Sequence, residues 1–382
     1  MEVLPDDVWL MVLEKLEEAA DVLACRLVCK RLAALAVHPA VWRHLEVGQS
    51  KPYCSCPVLR LAPCLDSISV HLPAKGCTQW AFASTRCAAA KLYIPIKGRS
   101  HAGLAAAIIC KQEMLGRLTD VEIEMRSVAV TDVPILLGTL ASTSRLTRIC
   151  VYVYLGGNQL PNTPAPILGG TAVTPSLREF ECNLSPLTEP FVKSILSQHA
   201  TTLEDVLLDF PLSSLTCTST ALILAGVTNL RMLVCDCFPG MESLVACKSL
   251  KVLALTVNTE SHYRPAVAGL AKLLRGAEQL RKVNLTYKPA VRSPTDLGGE
   301  LVLALASSGR SCVETLHITN RCYPFFSVEY TPLPELVASA LPSLPALRHL
   351  NLQDNAKRPD ALLLAIRPDV SAQPPSYWHI TE

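Results

Sequence analysis

The chain has 382 residues, half of them apolar, and carries 35 basic against 33 acidic side chains for a formal charge of +2. That length suits one large domain or two to three ordinary ones, and the near-neutral balance gives no ground for nucleic acid or an anionic membrane as a general partner. No uninterrupted apolar run approaches the roughly 20 residues of a membrane-spanning helix, and the first residues, MEVLPDDV, are acidic where a secretory leader is basic. Cytoplasm and/or nucleus is the expected compartment.

The first predicted elements are helical. Asp6 or Asp7 can cap a helix whose apolar residues fall at Val8, Trp9, Val12, Leu13 and Leu16. Asp21 can cap a second, with Val22, Leu23, Leu27, Val28, Leu32 and Leu35 apolar; Pro39 breaks the run, and Val41, Trp42 and Leu45 begin a third, short element. Three short helices in about 42 residues lie near the size at which a core no longer suffices alone. Spare apolar surface at that size points to a partner.

These residues resemble an F-box. Leu4-Pro5 is the start, Val8, Val12, Leu13 and Leu16 form the spaced aliphatic helix, and Asp21 opens the second. Val28-Cys29-Lys30 and then Trp42 with Leu45 complete the order; Leu32 departs from it, since the family more often has an aromatic residue there. The resemblance implies docking on a Skp-type adaptor and, through it, a cullin-RING scaffold of an SCF ubiquitin ligase. It assigns that contact to Leu4, Pro5, Val8, Val12, Leu13, Leu27, Val28, Cys29, Leu32 and Trp42. The alternative is a terminal unit that merely covers the end of a repeat array.

A linker is expected over 48–60. Nearby, Cys54, Cys56, Cys64 and His71 offer four metal-ligating side chains, but the one-residue gap of Cys54-Ser55-Cys56 is unusual for zinc, and His71 falls at an outward strand position. No metal or other cofactor is expected. The 16 cysteines are spread through apolar segments of a long chain and read as reduced, small hydrophobes rather than a disulfide framework.

From residue 61 to about 358 an LxxLxL-like pattern returns eleven times, starting at residues 65, 89, 118, 146, 177, 203, 230, 250, 280, 313 and 347. The spacing of 20 to 34 residues, and the last copy LRHLNLQDN, resemble leucine-rich repeats. Apolar fourth and sixth residues give a short strand one apolar side, which it cannot bury alone. Parallel stacking at about 4.8 Å buries it, and parallel strands require crossovers. The spacers VPILLGTLAS, FVKSILSQH, VAGLAKLLRG, LVLALASSG and LVASALPSL supply helical periods. The predicted fold is therefore α/β: an N-terminal three-helix F-box over 1–47, then a curved leucine-rich-repeat solenoid with parallel strands inside and helices outside, and a C-terminal helix and tail over 359–382.

Walker, GxGxxG, GxSxG and HExxH signatures do not occur, and no catalytic residue is assigned. The working surface expected instead is the inner strand face, where alternation turns the residues between the core positions outward. These are Asp120, Glu122, Glu124, Arg148, Tyr152, Glu179, Glu181, Asp205 and Asp209, then Asp236, and later Lys282, Asn284, Thr286, His317, His349 and Asn351. The acidic middle copies suit a basic protein segment. Two spacers, Gly156 to Pro175 and Thr286 to Asp296, read as loops at the lip of that face.

Overall fold

A computed structural model of the chain describes residues 4–48, 54–73, 78–98, 101–154, 174–209, 218–258, 264–288, 297–320, 337, 339–353 and 371–372. They divide into two compact units, Met1–Asn183 and Leu184–Glu382.

In the first unit, four short helices come first: α1 (Asp6–Leu13), α2 (Ala19–Cys25), α3 (Lys30–Leu35) and α4 (Pro39–Trp42). The predicted second helix is thus two. The chain breaks at Arg26–Cys29, where Cys29 turns extended and its Sγ accepts the Leu32 amide at 3.5 Å, capping α3. Neither Asp6 nor Asp7 caps α1; Pro5 holds that position and both acids lie in the first turn, where they favour the helix dipole. Asp21 likewise sits in the first turn of α2, behind Glu18.

Six parallel strands follow in chain order: β1 (Glu46–Gly48), β2 (Cys64–Ser69), β3 (Ala88–Lys97), β4 (Asp120–Arg126), β5 (Arg148–Tyr154) and β6 (Glu179–Asn183). Helices α5 (Cys56–Leu61), α6 (Thr78–Ser84), α7 (Ala102–Leu115) and α8 (Val133–Ser142) lie between them. The stretch read as linker therefore ends in α5, which packs against α2. The α7 helix ends at Gly116, whose φ of +79° suits glycine.

The strand period is visible in the burial. Val121, Ile123 and Met125 on β4 are enclosed on the helix side, while Asp120, Glu122 and Glu124 face the side without helices. Two carboxamides extend the backbone pairing. Gln112 donates to the Cys87 carbonyl and accepts from the Ala89 amide; Asn183 does the same for both backbone groups of Val153. Since β5 and β6 pair only as far as Val151 and Cys182, the Asn183 side chain carries the bonding beyond the last strand pair.

The second unit repeats the scheme. Strands β7 (Asp205–Asp209), β8 (Met232–Asp236), β9 (Val252–Asn258), β10 (Lys282–Lys288), β11 (Thr315–Asn320), β12 (His349–Gln353) and β13 (Ser371–Ala372) pair in parallel with their chain neighbours. Helices α9 (Glu189–Gln198), α10 (Thr218–Ala225), α11 (Arg264–Gly276) and α12 (Leu297–Ala306) and 3-10 turns at Met241–Ala246 and Leu341–Ser343 separate them. Lys251, Arg281 and Arg348 each donate their amide to a carbonyl of the preceding copy, at Arg231, Lys251 and Glu314. The eleven predicted copies are strands β2 to β12. The loop 156–175 lies almost entirely outside the described residues, as do 289–296 and all of the C-terminal segment 359–382 except β13. Among the described residues no helix is long and apolar enough to cross a membrane.

Candidate functional site

Two surfaces of the first unit gather the residues singled out above. The first belongs to the N-terminal helices. Their interior is Leu13, Ala19, Val22, Leu32, Ala36, Val41, Trp42 and Leu45, all buried, with the Trp42 Nε1 donating to the Ala36 carbonyl at 2.6 Å. Helix α4 also packs on β2. Leu13, Leu32 and Trp42, predicted as contact residues, therefore hold this domain together and offer no surface to a partner. Their spacing marked them as apolar without saying which side faced inward.

The other predicted contacts do lie outside. Leu4, Val8 and Val12 are exposed at helical spacing of four, and Pro5 and Cys29 are exposed beside them in sequence. Leu27 is 89% exposed and Val28 57%, both in the turn where the predicted helix breaks. Met11, 65% exposed on α1, belongs to the same surface; hydrophobicity at the helical period would have found it. Arg31 ties the parts together: its guanidinium donates to the Leu4 carbonyl at 2.7 Å and pairs with Asp6 at 2.6 Å, three residues after Val28. An exposed pair of this kind contributes at most about 1 kcal/mol; its effect is to fix where α1 begins against α3. A small domain that leaves Leu4, Val8, Met11, Val12, Leu27 and Val28 in water, with Val37 exposed as well, carries surface fit for burial against another polypeptide.

The second surface is the helix-free face of β3 to β6. Arg148 lies among four carboxylates, 3.3 Å from Asp120, 3.7 Å from Glu122, 3.6 Å from Glu179 and 3.8 Å from Glu181. The Tyr152 hydroxyl donates to Glu181, and the Tyr93 hydroxyl to Glu124, which also pairs with Arg126. Tyr152 stacks on Tyr154 with ring centroids 6.1 Å apart, and Arg126 lies over the Tyr154 ring. Five carboxylates thus face two guanidinium groups. Burial raises the Glu122 carboxyl above its ordinary range, Arg148 partly offsets this, and repulsion from Glu181, Asp120 and Glu124 adds to it. Burial, then the bond to Glu181, holds Tyr152 protonated as a donor.

The structure so brings together Asp120, Glu122, Glu124, Arg148, Tyr152, Glu179 and Glu181. Asp205, half-buried, and Asp209, exposed, stand on β7 in the second unit. Tyr93, Arg126 and Tyr154 were not singled out, although the same alternation places them. Among the described residues no group of three or more His, Cys, Asp or Glu is disposed to hold a metal ion.

Parallel strands in register, joined by crossovers with their helices on one side, define a leucine-rich-type repeat protein. Residues 1–47 match the F-box-like family model, and the repeats follow that segment. A search of curated proteins finds no match. Among solved structures the chain is similar to an internalin, InlF, from Listeria monocytogenes, at 14% identity over 77% of this chain and 88% of that one, with a TM-score of 0.26.

Proposed function

We propose that this chain is the substrate-recognition subunit of an SCF-type ubiquitin ligase, its F-box-like domain docking on a Skp-type adaptor and its repeats holding a protein substrate. The observation that carries the reading is the exposed aliphatic surface of Leu4, Val8, Met11, Val12, Leu27 and Val28 within the segment that matches the F-box-like family. Burying a side chain of that size contributes about 1.5–3 kcal/mol, and a few such anchors suffice for a specific contact. The adaptor would connect the chain to a cullin-RING scaffold, in the cytoplasm or nucleus. On this reading the chain supplies no nucleophile, acid or base. It acts by proximity, since holding a substrate beside a partner-borne conjugating enzyme raises the effective concentration of its lysines.

The substrate side rests on the charged face of β3 to β6. Four carboxylates sharing the single Arg148 favour a lysine- or arginine-bearing segment. Reversing the charges of Glu122, Glu179 and Glu181 together weakens capture of a verified substrate.

The deciding experiment is co-purification with the adaptor. The wild-type chain is expected to retain it, and Val12→Asp with Leu27→Asp to lose it while the repeats stay folded. If the adaptor never co-purifies, the repeats are an interaction scaffold outside any ligase, which is the competing reading; if the double variant retains it, the exposed aliphatic surface is not where the adaptor docks.

A further inference from the structure

The first unit carries another charged surface, opposite in sign to its inner face, at the end of the sheet where β3 to β6 begin. The approaches to these strands, 84–90, 116–119, 143–147 and 174–178, contain Arg86, Arg117, Arg145 and Arg178 and no carboxylate. Arg86, Arg145 and Arg178 are exposed, and among the described residues no carboxylate pairs with any of the four. The nearby acids are engaged elsewhere. Asp120 and Glu179, which open β4 and β6, pair with Arg148 on the inner face. Glu113, near the end of α7, accepts from the Ser144 amide at 2.7 Å and the Ser144 hydroxyl at 2.9 Å. Arg117 donates to the Arg43 carbonyl at 3.3 Å, a bond that leaves its charge uncompensated. Of the stretches of this unit outside the described residues, 49–53, 74–77, 99–100 and 155–173 hold no Asp or Glu, and 1–3 holds only Glu2.

Register spaces these charges. Asp120, Arg148 and Glu179 are partners across β4, β5 and β6. Arg117 and Arg145 stand three residues before the first two, and Arg178 one residue before the third. One arginine per copy is thus set out over about 9.6 Å of strand spacing. Arg145 adds an independent sign. Its φ of +64° lies in the left-handed region, which costs energy for a residue with a Cβ and which glycine enters freely. A strained residue kept at a surface turn points to a use for its side chain. Among the described residues the Arg145 guanidinium bonds to nothing, so that use is not within the fold.

We infer that Arg117, Arg145 and Arg178, with Arg86 beside them, form a docking edge for an extended, Asp- or Glu-bearing segment of a partner protein. A compact multivalent anion calls for donors that converge on one point. Cations spaced one per copy fit single charges spaced along an extended chain, and each guanidinium fork can take a carboxylate by two parallel bonds. The acidic inner face repels the same segment and so confines it to the edge. The edge stands independently of adaptor docking, which co-purification reads separately.

The test uses the purified full chain and fluorescent peptides in which glutamate or glutamine alternates with serine, followed by anisotropy. The glutamate peptide is expected to bind, less tightly as salt rises, and the glutamine peptide at least roughly tenfold more weakly. Arg178→Gln and Arg145→Gly should each weaken glutamate-peptide binding by roughly threefold or more. Arg145→Gly should do so without lowering the melting temperature, because glycine suits the left-handed turn. In the wild-type chain the glutamate peptide should slow phenylglyoxal modification of Arg145 and Arg178, read by mass spectrometry, which requires no variant. Equal binding of the two peptides overturns the edge, as do unaltered binding by the folded variants and unchanged modification of Arg145 and Arg178. A lower melting temperature for Arg145→Gly would mean that this side chain serves the fold, which overturns its part in the edge. A single-stranded oligonucleotide that displaces the glutamate peptide at lower concentration than unlabelled peptide overturns the assignment to a protein segment.

Discussion

The Trp42 ring is fully enclosed and its indole N–H is bonded to Ala36, whereas Leu27, fifteen residues earlier, is 89% exposed. Trp42→Ala would leave a large cavity and an unmatched buried carbonyl, at a cost of about 3–5 kcal/mol. Leu27→Asp should change stability by less than about 0.5 kcal/mol. Chemical denaturation of the two variants measures both costs; a mild Trp42→Ala would mean that the helices are not closed around that ring. The chain's spacing showed both residues to be apolar, but only packing decides which one is core. The same holds for Leu13 and Leu32.

Glu122 supplies a second test. Its folded-state proton affinity lies above the ordinary carboxylate value of 4.5, chiefly through burial. The folded state thus binds this proton more readily than the unfolded chain, so the ionised group costs stability at neutral pH. The cost vanishes as pH falls below 4.5. Glu122→Gln should therefore raise the melting temperature near pH 7 and lose that advantage below about pH 4.5. Melting curves across pH check this; an advantage that grows on acidification contradicts the sign.

Among the elements, α8 occupies the very residues its apolar period picked out, and α9, α11 and α12 overlap theirs. The eleven strands were legible because each copy pairs an apolar alternation with a buried first residue, such as Leu177, Leu203 or Leu250. Helices α7 and α10 were not. In AGLAAAIICKQEML and TSTALILA apolar or small residues fall on every side, leaving no stripe to read. Strand β1 is three residues long, too short for any period, and exists because β2 pairs with it. On α11, which packs on the Met241–Ala246 turn, two glycines differ. An added methyl at Gly269 meets the flexible end of exposed Glu242, but at Gly276 it meets the Val245 methyls at 3.1 and 3.2 Å. Gly269→Ala should stabilise by about 0.5–1 kcal/mol through helix propensity and reduced unfolded-state entropy. Gly276→Ala should give no such gain. Urea midpoints of the two variants decide it; an equal gain at both would mean that Val245 does not confine the helix.

Across the whole molecule, the cysteines report the state of each repeat stack. Cys87, Cys150 and Cys182 are buried in the first unit and Cys235, Cys237 and Cys247 in the second, while Cys29, Cys54 and Cys110 are exposed. Burial pushes Cys87 and Cys237 up to about 12 and Cys247 to about 11, so these thiols stay protonated and poorly nucleophilic at neutral pH as well as shielded. Iodoacetamide should therefore modify the three exposed cysteines in native buffer and spare the six buried ones. Because each repeat buries its apolar side only against its neighbours, a stack opens cooperatively. In increasing urea, Cys87, Cys150 and Cys182 should become reactive over one transition, and Cys235, Cys237 and Cys247 likewise over one. Site-resolved mass spectrometry measures each thiol separately. If Cys87 and Cys182 opened at different urea concentrations, nearest-neighbour burial would not be what joins the copies between them; reaction of any of the six at the rate of Cys29 in native buffer would place that thiol outside the core.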